Sequence, residues 1–285
     1  MENQLSKKFI FEKLSPYYDT YQISQLIQKR SDLSINQIFL TQNIKNISLE
    51  MLNQQIQIYK TGEPFEYIIN KAEFYGLDFF VDKRVLIPRN DTEIMVDSIL
   101  SQINKLDGGP VLVDIGTGSS CIPISVLKNS SAIQETYVID ISTDALQVSK
   151  INIHSHNLDR IIQQIHGDLF LPLLSKKIEN NNIIISANLP YIKDADFENM
   201  SPETVEYEPD IALYGGPVTG FELYEKLIWQ CQRYKLDFPN TNIYLFIEIG
   251  FDQEEYAQSY INNLELSFKK YSDNGGIVRC IGIKI

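Results

Sequence analysis

The stretch Val111-Leu112-Val113-Asp114-Ile115-Gly116-Thr117-Gly118-Ser119-Ser120 reads as a short apolar strand that runs into a glycine turn and then a helix. Glycine lets the backbone approach a ligand closely and adopt angles closed to other residues. A Gly-x-Gly alone serves equally well as a tight turn. The next apolar run, Tyr137-Val138-Ile139, adds information because it ends at Asp140, 24 residues after Gly116. A carboxylate at that strand end can accept hydrogen bonds from both hydroxyls of a ribose. The third glycine of a dinucleotide fingerprint is missing, and no basic residue is placed to serve a pyrophosphate. The pattern therefore favours a nucleoside without phosphates over NAD, and S-adenosylmethionine fits best.

Outward from this turn the chain alternates. Ile161-Ile162, Ile183-Ile184-Ile185 and Ile243-Tyr244-Leu245-Phe246-Ile247 are further apolar runs, separated by helix-length stretches such as 143–157 and 221–234. Buried strands alternating with helices predict a parallel, doubly wound α/β sheet. The late runs Leu266-Ser267-Phe268 and 277–283 are joined by Asp273-Asn274-Gly275-Gly276, a hairpin signal. An antiparallel last pair on a parallel sheet is the pattern of class I methyltransferases.

The third strand ends at His166-Gly167-Asp168-Leu169. There an acid could accept from an adenine amino group while Leu169 packs on the ring, or the pair could be a turn Asp and a core Leu. Asn188-Leu189-Pro190-Tyr191 follows the apolar strand 183–186, at the carboxyl end where open α/β sheets place their ligands. The Asn188 side-chain carbonyl and the Leu189 backbone carbonyl can together accept both hydrogens of an –NH2 group. Pro190 stiffens the turn and the Tyr191 ring can cover a planar group. A structural turn is the plainer alternative. The expected catalytic residues are thus Asn188, Leu189, Pro190 and Tyr191. The expected cofactor-binding residues are Asp114, Gly116, Thr117, Gly118, Ser119, Ser120, Asp140, Asp168, Leu169 and Asn188.

The first seventy residues read as short helices. In Ser48–Tyr59, Leu49, Leu52, Ile56 and Tyr59 share one helical face, with Gly62 as a stop. Between Pro64 and Pro88, β-favouring residues interrupted by Gly76 predict a hairpin joining two domains. Asn90 then reads as an N-cap with Glu93 closing a capping box, ahead of a helix to about Ile103. The expected division is a helical domain over 1–72, a hairpin linker over 73–89 and an α/β domain over 90–285.

Composition sets limits. The 285 residues are 44% hydrophobic and 22% charged, ordinary globular values that exclude disordered and fibrous classes. No apolar run approaches the ~18 residues of a membrane helix. The N-terminus shows no signal-peptide pattern, so a cytoplasmic protein is expected. Three widely spaced cysteines exclude a disulfide framework and a cysteine-rich zinc site, and no metal role is expected for His154, His156 or His166. Residues 1–75 are charge-balanced, so the net charge of −12 falls on residues 76–285, with 17 basic and 29 acidic side chains. No basic stripe suits a nucleic acid. The acidic run Asp194, Asp196, Glu198, Glu203, Glu206, Glu208 and Asp210 reads as a solvated loop, with a basic partner surface or the entrance for a cationic sulfonium as alternatives.

Together these motifs resemble the protein-(glutamine-N5) methyltransferases of the HemK/PrmC family, which act on peptide chain release factors. The resemblance runs from about residue 48 to the C-terminus. It is carried by Gly62–Ile68, by Phe74-Tyr75-Gly76-Leu77, and by Val85-Leu86-Ile87-Pro88-Arg89-Asn90-Asp91-Thr92-Glu93. Glu208-Pro209 with Ala212–Gly216 and Gly220, and Glu248-Ile249-Gly250 with Gln253, match later family loops. Three positions depart from the family: Leu189 stands for the first proline of Asn-Pro-Pro-Tyr, Ser120 for a third glycine, and Asn90 for proline. The resemblance implies a class I S-adenosylmethionine-dependent methyltransferase domain, Rossmann-like, behind a small N-terminal helical domain. It further implies methyl transfer to the glutamine of a Gly-Gly-Gln loop in a release factor, with the N-terminal domain helping to bind that factor. A monomer without direct nucleic-acid or membrane contact is expected. The competing expectation is an adenine-N6 methyltransferase, because Asn-Leu-Pro-Tyr also occurs in RNA enzymes of that kind. Those enzymes do not resemble the Leu86–Glu93 signature.

Overall fold

The computed structural model describes residues 4–193, 202–273 and 275–285. The chain divides into two compact units, Met1–Lys71 and Ala72–Ile285.

In the smaller unit, strand β1 (Gln4–Ser6) pairs antiparallel with β2 (Asn43–Lys45) beside helices α1 (Lys7–Leu14), α2 (Thr20–Arg30), α3 (Ile35–Leu40), α4 (Leu49–Thr61) and α5 (Phe65–Ile69). Helices this short need capping to hold their ends. Asp19 with Gln22 and Ser34 with Gln37 form reciprocal capping boxes, and Ser48 caps α4. Gly62 ends α4 at φ 78°, a left-handed angle natural to glycine. Ile10, Leu14, Ile27, Ile38, Ile44 and Leu52 are among the side chains that form its core. Two sequence expectations change here. Leu49 and Tyr59 are 48% and 44% exposed, so the buried stripe of α4 is Leu52, Gln55 and Ile56. Phe65–Ile69 is a helix, because Pro64 starts it and Asn70 closes it in the left-handed region; the β-favouring composition misled.

The larger unit opens with the hairpin β3 (Ala72–Phe74) and β4 (Leu77–Phe79), turned at Tyr75 and Gly76, both at positive φ. The hairpin is therefore shorter than 73–89 and belongs to this unit. Helix α6 (Glu93–Ile103) follows, then β5 (Val111–Ile115), α7 (Cys121–Asn129), β6 (Thr136–Asp140), α8 (Thr143–Ser155), β7 (Ile162–His166) and β8 (Asn182–Ala187). The short strands β9 (Ile192–Lys193) and β10 (Tyr214–Gly216) flank α9 (Pro202–Tyr207), and α10 (Glu222–Asp237), β11 (Asn242–Glu248), α11 (Glu254–Asn263), β12 (Ser267–Ser272) and β13 (Val278–Lys284) complete it. The central sheet has seven strands in the order β12-β13-β11-β8-β5-β6-β7. All pairs are parallel except those of β13 with β11 and β12.

Alternation along β5 shows how the sheet is covered on both faces. Val111, Val113 and Ile115 pack with Tyr224, Leu227 and Ile228 of α10, while Leu112 packs with Val96 and Ile99 of α6 and Ile122 of α7. Leaving the hairpin, the chain is pinned by the fully buried Asn152 of α8, which pairs with both backbone groups of Phe80 and donates to the Ser119 carbonyl.

Candidate functional site

The carboxyl ends of β5, β6, β7 and β8 open on a cavity of about 520 Å³. Gly116, Thr117, Gly118, Ser119, Asp140, Asp168, Leu169, Asn188, Leu189 and Pro190 line it, so ten of the expected site residues converge on one wall. Gly116 sits at φ 66°, and a Cβ there would lie 2.8 Å from the Leu189 side chain, so the turn needs glycine for both angle and space. Asp140 is 8% exposed and accepts the N–H groups of Gly118 (2.9 Å) and Ser142 (2.8 Å). Burial raises its pKa against those hydrogen bonds. A carboxylate offers about four acceptor directions, so acceptor capacity remains beyond these bonds and the Ile141 N–H that also faces it. Asp168 is held by Lys226 at 2.5 Å, and Leu169, at φ 52°, is buried beside it.

Three expected residues lie off the cavity wall. Asp114 shares the Leu112 face of β5, accepts from Ser186 Oγ at 2.6 Å and from Thr117, and is pushed by burial to a pKa of about 7. Ser120 is fully buried behind the turn, bonded to Thr117 Oγ1 and Ser149 Oγ. Tyr191 packs into the core beside the wall, and burial, then the charge of Glu248, raises its pKa.

At Asn188 the side-chain Nδ2 donates to Thr92 Oγ1 at 3.1 Å. The Leu189 carbonyl accepts from the Tyr224 hydroxyl at 3.1 Å, and the Leu189 N–H donates to the same hydroxyl at 3.0 Å. One of its two lone-pair directions is thereby engaged. Asn90 is not an N-cap: residues 90–92 form a 3-10 turn, α6 begins at Glu93, and the Glu93 carboxylate accepts from Tyr75 N–H instead.

The Leu86–Glu93 segment acts as a hub. Arg89 pairs with Glu208, whose other oxygen accepts the Ile87 N–H at 3.3 Å; Asp91 pairs with Arg279 at 2.9 Å. Glu208 is therefore a buried, paired acid and not part of a solvated run. Asp194, Asp196 and Glu198 lie outside the described residues. The sequence reading also missed Thr92, Glu248 and Tyr224 as neighbours of Asn188 and Leu189. Thr92 and Glu248 stood in quoted motifs, but nothing in their spacing placed them together.

The wall tests well against a nucleoside cofactor without phosphates. Its volume suits a small-molecule site. Both guanidiniums on it are already held, Arg84 by Asp82 and Gln147 and Arg89 by Glu208. Ile115, Ile141 and Leu169 supply apolar surface. The histidines are engaged elsewhere: His154 with Asp159, His156 with the Asp78 carbonyl and His166 with the Ile141 carbonyl. Among the described residues no His/Cys/Asp/Glu group could hold a metal ion, and no helix is long and apolar enough to cross a membrane.

No family model matches the chain. The catalytic domain of hMettl16, solved with hairpin 1 of the MAT2A 3′UTR, superposes with a TM-score of 0.55 at 12% identity, covering 98% of this chain and 90% of that one. Human methyltransferase 10 domain containing protein reaches 0.50 at 12% identity over 73% of this chain and 88% of its own. The fold is that of a class I S-adenosylmethionine-dependent methyltransferase. The release factor glutamine methyltransferase of Clostridium acetobutylicum is 38% identical over 81% of this chain and 79% of its own length. That of Thermodesulfovibrio yellowstonii is 34% identical over 69% and 67%. The chain belongs to the release factor glutamine methyltransferase family. It also matches the bifunctional methyltransferase of Rickettsia typhi at 34% identity, spanning 45% of that longer protein, and it spans 57% of the Chlorobaculum tepidum relative.

Proposed function

We propose that the chain transfers a methyl group from S-adenosylmethionine to the side-chain amide nitrogen of the glutamine in a release factor's Gly-Gly-Gln loop. The observation that carries this reading is the meeting, on one cavity wall, of the Gly116–Ser119 turn, Asp140 and the Asn188-Leu189-Pro190 turn. Asp140, with acceptor capacity remaining, would hold the ribose hydroxyls. Gly116 and Gly118 give close backbone approach, and Leu169 and Ile141 would flank the base. When bound, the cofactor supplies an electrophilic methyl on a sulfonium.

The glutamine nitrogen is a poor nucleophile because its lone pair is delocalised into the carbonyl. Acceptance of its two N–H bonds by Asn188 Oδ1 and the Leu189 carbonyl turns that lone pair toward the methyl and reduces the delocalisation. Holding the pair in line can supply up to ~7–11 kcal/mol of the barrier as effective concentration. The methylated amide cation is acidic enough to lose its proton to water, so no side chain need act as a base. The 29 acidic against 17 basic side chains of residues 76–285 favour a protein substrate over a nucleic acid. We further assign the helical unit, residues 1–71, to release-factor binding, and the working form to a cytoplasmic monomer.

Mass spectrometry of a release factor and of an RNA oligonucleotide, each incubated with enzyme and cofactor, tests the reading. A methyl on the glutamine is expected; a methyl on adenine with none on glutamine would overturn it. Asn188→Ala is expected to lower kcat by about 10²–10³-fold, the loss typical of one transition-state hydrogen bond, while cofactor still binds.

A further inference from the structure

Glu248 is the last residue of β11, and the proposed reaction leaves it unused. Its side chain is buried, and its Oε2 has no hydrogen-bond partner among the described residues. Thr92 and Asn188 are the side chains whose polar groups face this carboxyl and favour its charged form. Asn188 also gives its Nδ2 to Thr92 Oγ1.

The direction of these bonds matters. A carboxamide donates only from nitrogen and accepts only on oxygen, while a threonine hydroxyl can do either. Thr92 alone would accept either rotamer of the Asn188 amide. An ionised carboxylate only accepts, so it draws the Thr92 hydrogen to itself and leaves Thr92 a lone pair for Asn188. The amide must then turn its nitrogen toward Thr92 and Glu248. Its oxygen is the end left for the cavity that Asn188 lines. Rotated by half a turn, the amide would set Oδ1 against a carboxylate and offer N–H donors to an incoming –NH2.

We propose that Glu248, acting through Thr92, is a positioning residue that fixes the Asn188 carboxamide with its oxygen toward the cavity, which makes the site accept a nitrogen carrying two hydrogens. The inference rests on the amide-clamp reading of Asn188. It adds a pH signature. Burial foremost, with help from Asp91 and against Arg279, brings the Glu248 carboxyl to about 7. The other ionisable groups that sense it are Tyr191, Tyr224 of α10, Cys280 of β13 and Cys121 of α7, all with raised pKa values. Protonated, Glu248 can donate to Oδ1 and favour the unproductive rotamer, so turnover rises as pH passes through about 7.

The experiment compares Glu248→Gln, Thr92→Val and Thr92→Ser by kcat against pH, with cofactor affinity measured by calorimetry. Glu248→Gln and Thr92→Val are expected to lower kcat roughly tenfold, the population factor of one neutral hydrogen bond, with cofactor affinity within about twofold. Thr92→Ser, which keeps the hydroxyl, is expected to recover most of the Thr92→Val loss. The acidic limb is expected to vanish in Glu248→Gln, which also separates it from Asp114 titrating in the same range. If either substituted protein fails to fold, the other decides. Wild-type kcat and an unchanged limb in a folded variant, with kcat of Asn188→Ala still strongly lowered, would remove the positioning role and leave the clamp. A fully active Asn188→Ala would remove the clamp and this inference with it.

Discussion

Ser120 holds φ 62°, in the left-handed region, at the position where the family resemblance expects glycine. That angle costs a residue with a Cβ about 1–2 kcal/mol. The hydroxyl offsets the cost: it lies 3.0 Å from Thr117 Oγ1 and 2.6 Å from Ser149 Oγ, which itself accepts from Gln164 at 2.9 Å. A buried hydrogen bond contributes about 0.5–1.5 kcal/mol, comparable to the strain. Ser120→Gly is therefore expected to leave stability within about 1 kcal/mol, while Ser120→Ala, which keeps the strain and loses the bonds, costs about 1–2 kcal/mol. Urea denaturation measures both, and an alanine variant as stable as the glycine one would show that the hydroxyl chain carries nothing. At this scale the sequence was legible for residues on the ligand side of a strand end. It was not for Asp114 and Ser120, because a motif lists residues in order and does not say which face of the turn each takes. Asp114 alternates onto the Leu112 face, away from the wall that Ile115 joins.

Among the elements, the loops that follow β8, β10 and β11 meet at one side chain. Gln253 is buried, its Oε1 accepts the Gly250 N–H at 3.0 Å, and its Nε2 donates to the carbonyls of Tyr191 (3.1 Å) and Thr219 (3.0 Å). No charged residue can replace that pattern. Gln253→Glu sets an acceptor against two carbonyls and is expected to lower kcat more than Gln253→Ala, with cofactor affinity within about twofold because Asp140 and Gly116 sit on other loops. Steady-state kinetics beside calorimetry check this, and equal loss of both parameters would count against a local tie. The strands β5, β6, β8 and β11 were readable because strands buried on both faces are continuous apolar runs. The edge strand β7, Ile-Gln-Gln-Ile-His, is half polar, so it was read from its apolar start and its end at His166 and not from a continuous apolar run. The capping box at Asn90 failed for a tertiary reason: Glu93 is claimed by Tyr75 and Thr92 by Asn188.

For the molecule as a whole, the net charge of −12 makes pH a strong lever, and two buried acids give it a specific shape. Asp114 is raised from 3.8, and Glu248 from 4.5, to about 7, in both cases chiefly by burial. A carboxyl with a raised folded-state pKa binds its proton more tightly folded than unfolded. Stability therefore falls as pH rises from the unfolded value to about 7, and the deficit persists above that. Self-repulsion among the excess acids acts in the same direction, so wild-type stability alone cannot separate the two. The difference between wild type and Asp114→Asn can, since the repulsion is nearly common to both. Asparagine keeps an acceptor for Ser186 and has no charge to bury. The variant is expected to gain on the order of 2–3 kcal/mol more at pH 8 than at pH 5, because the unfolded carboxyl is already ionised at pH 5 while the folded one keeps its proton up to about 7, at ~1.4 kcal/mol per pH unit. Urea unfolding at the two pH values reads this difference. A gain of equal size at both would mean that the folded carboxyl is already charged at pH 5, and that its burial does not move its titration into this range.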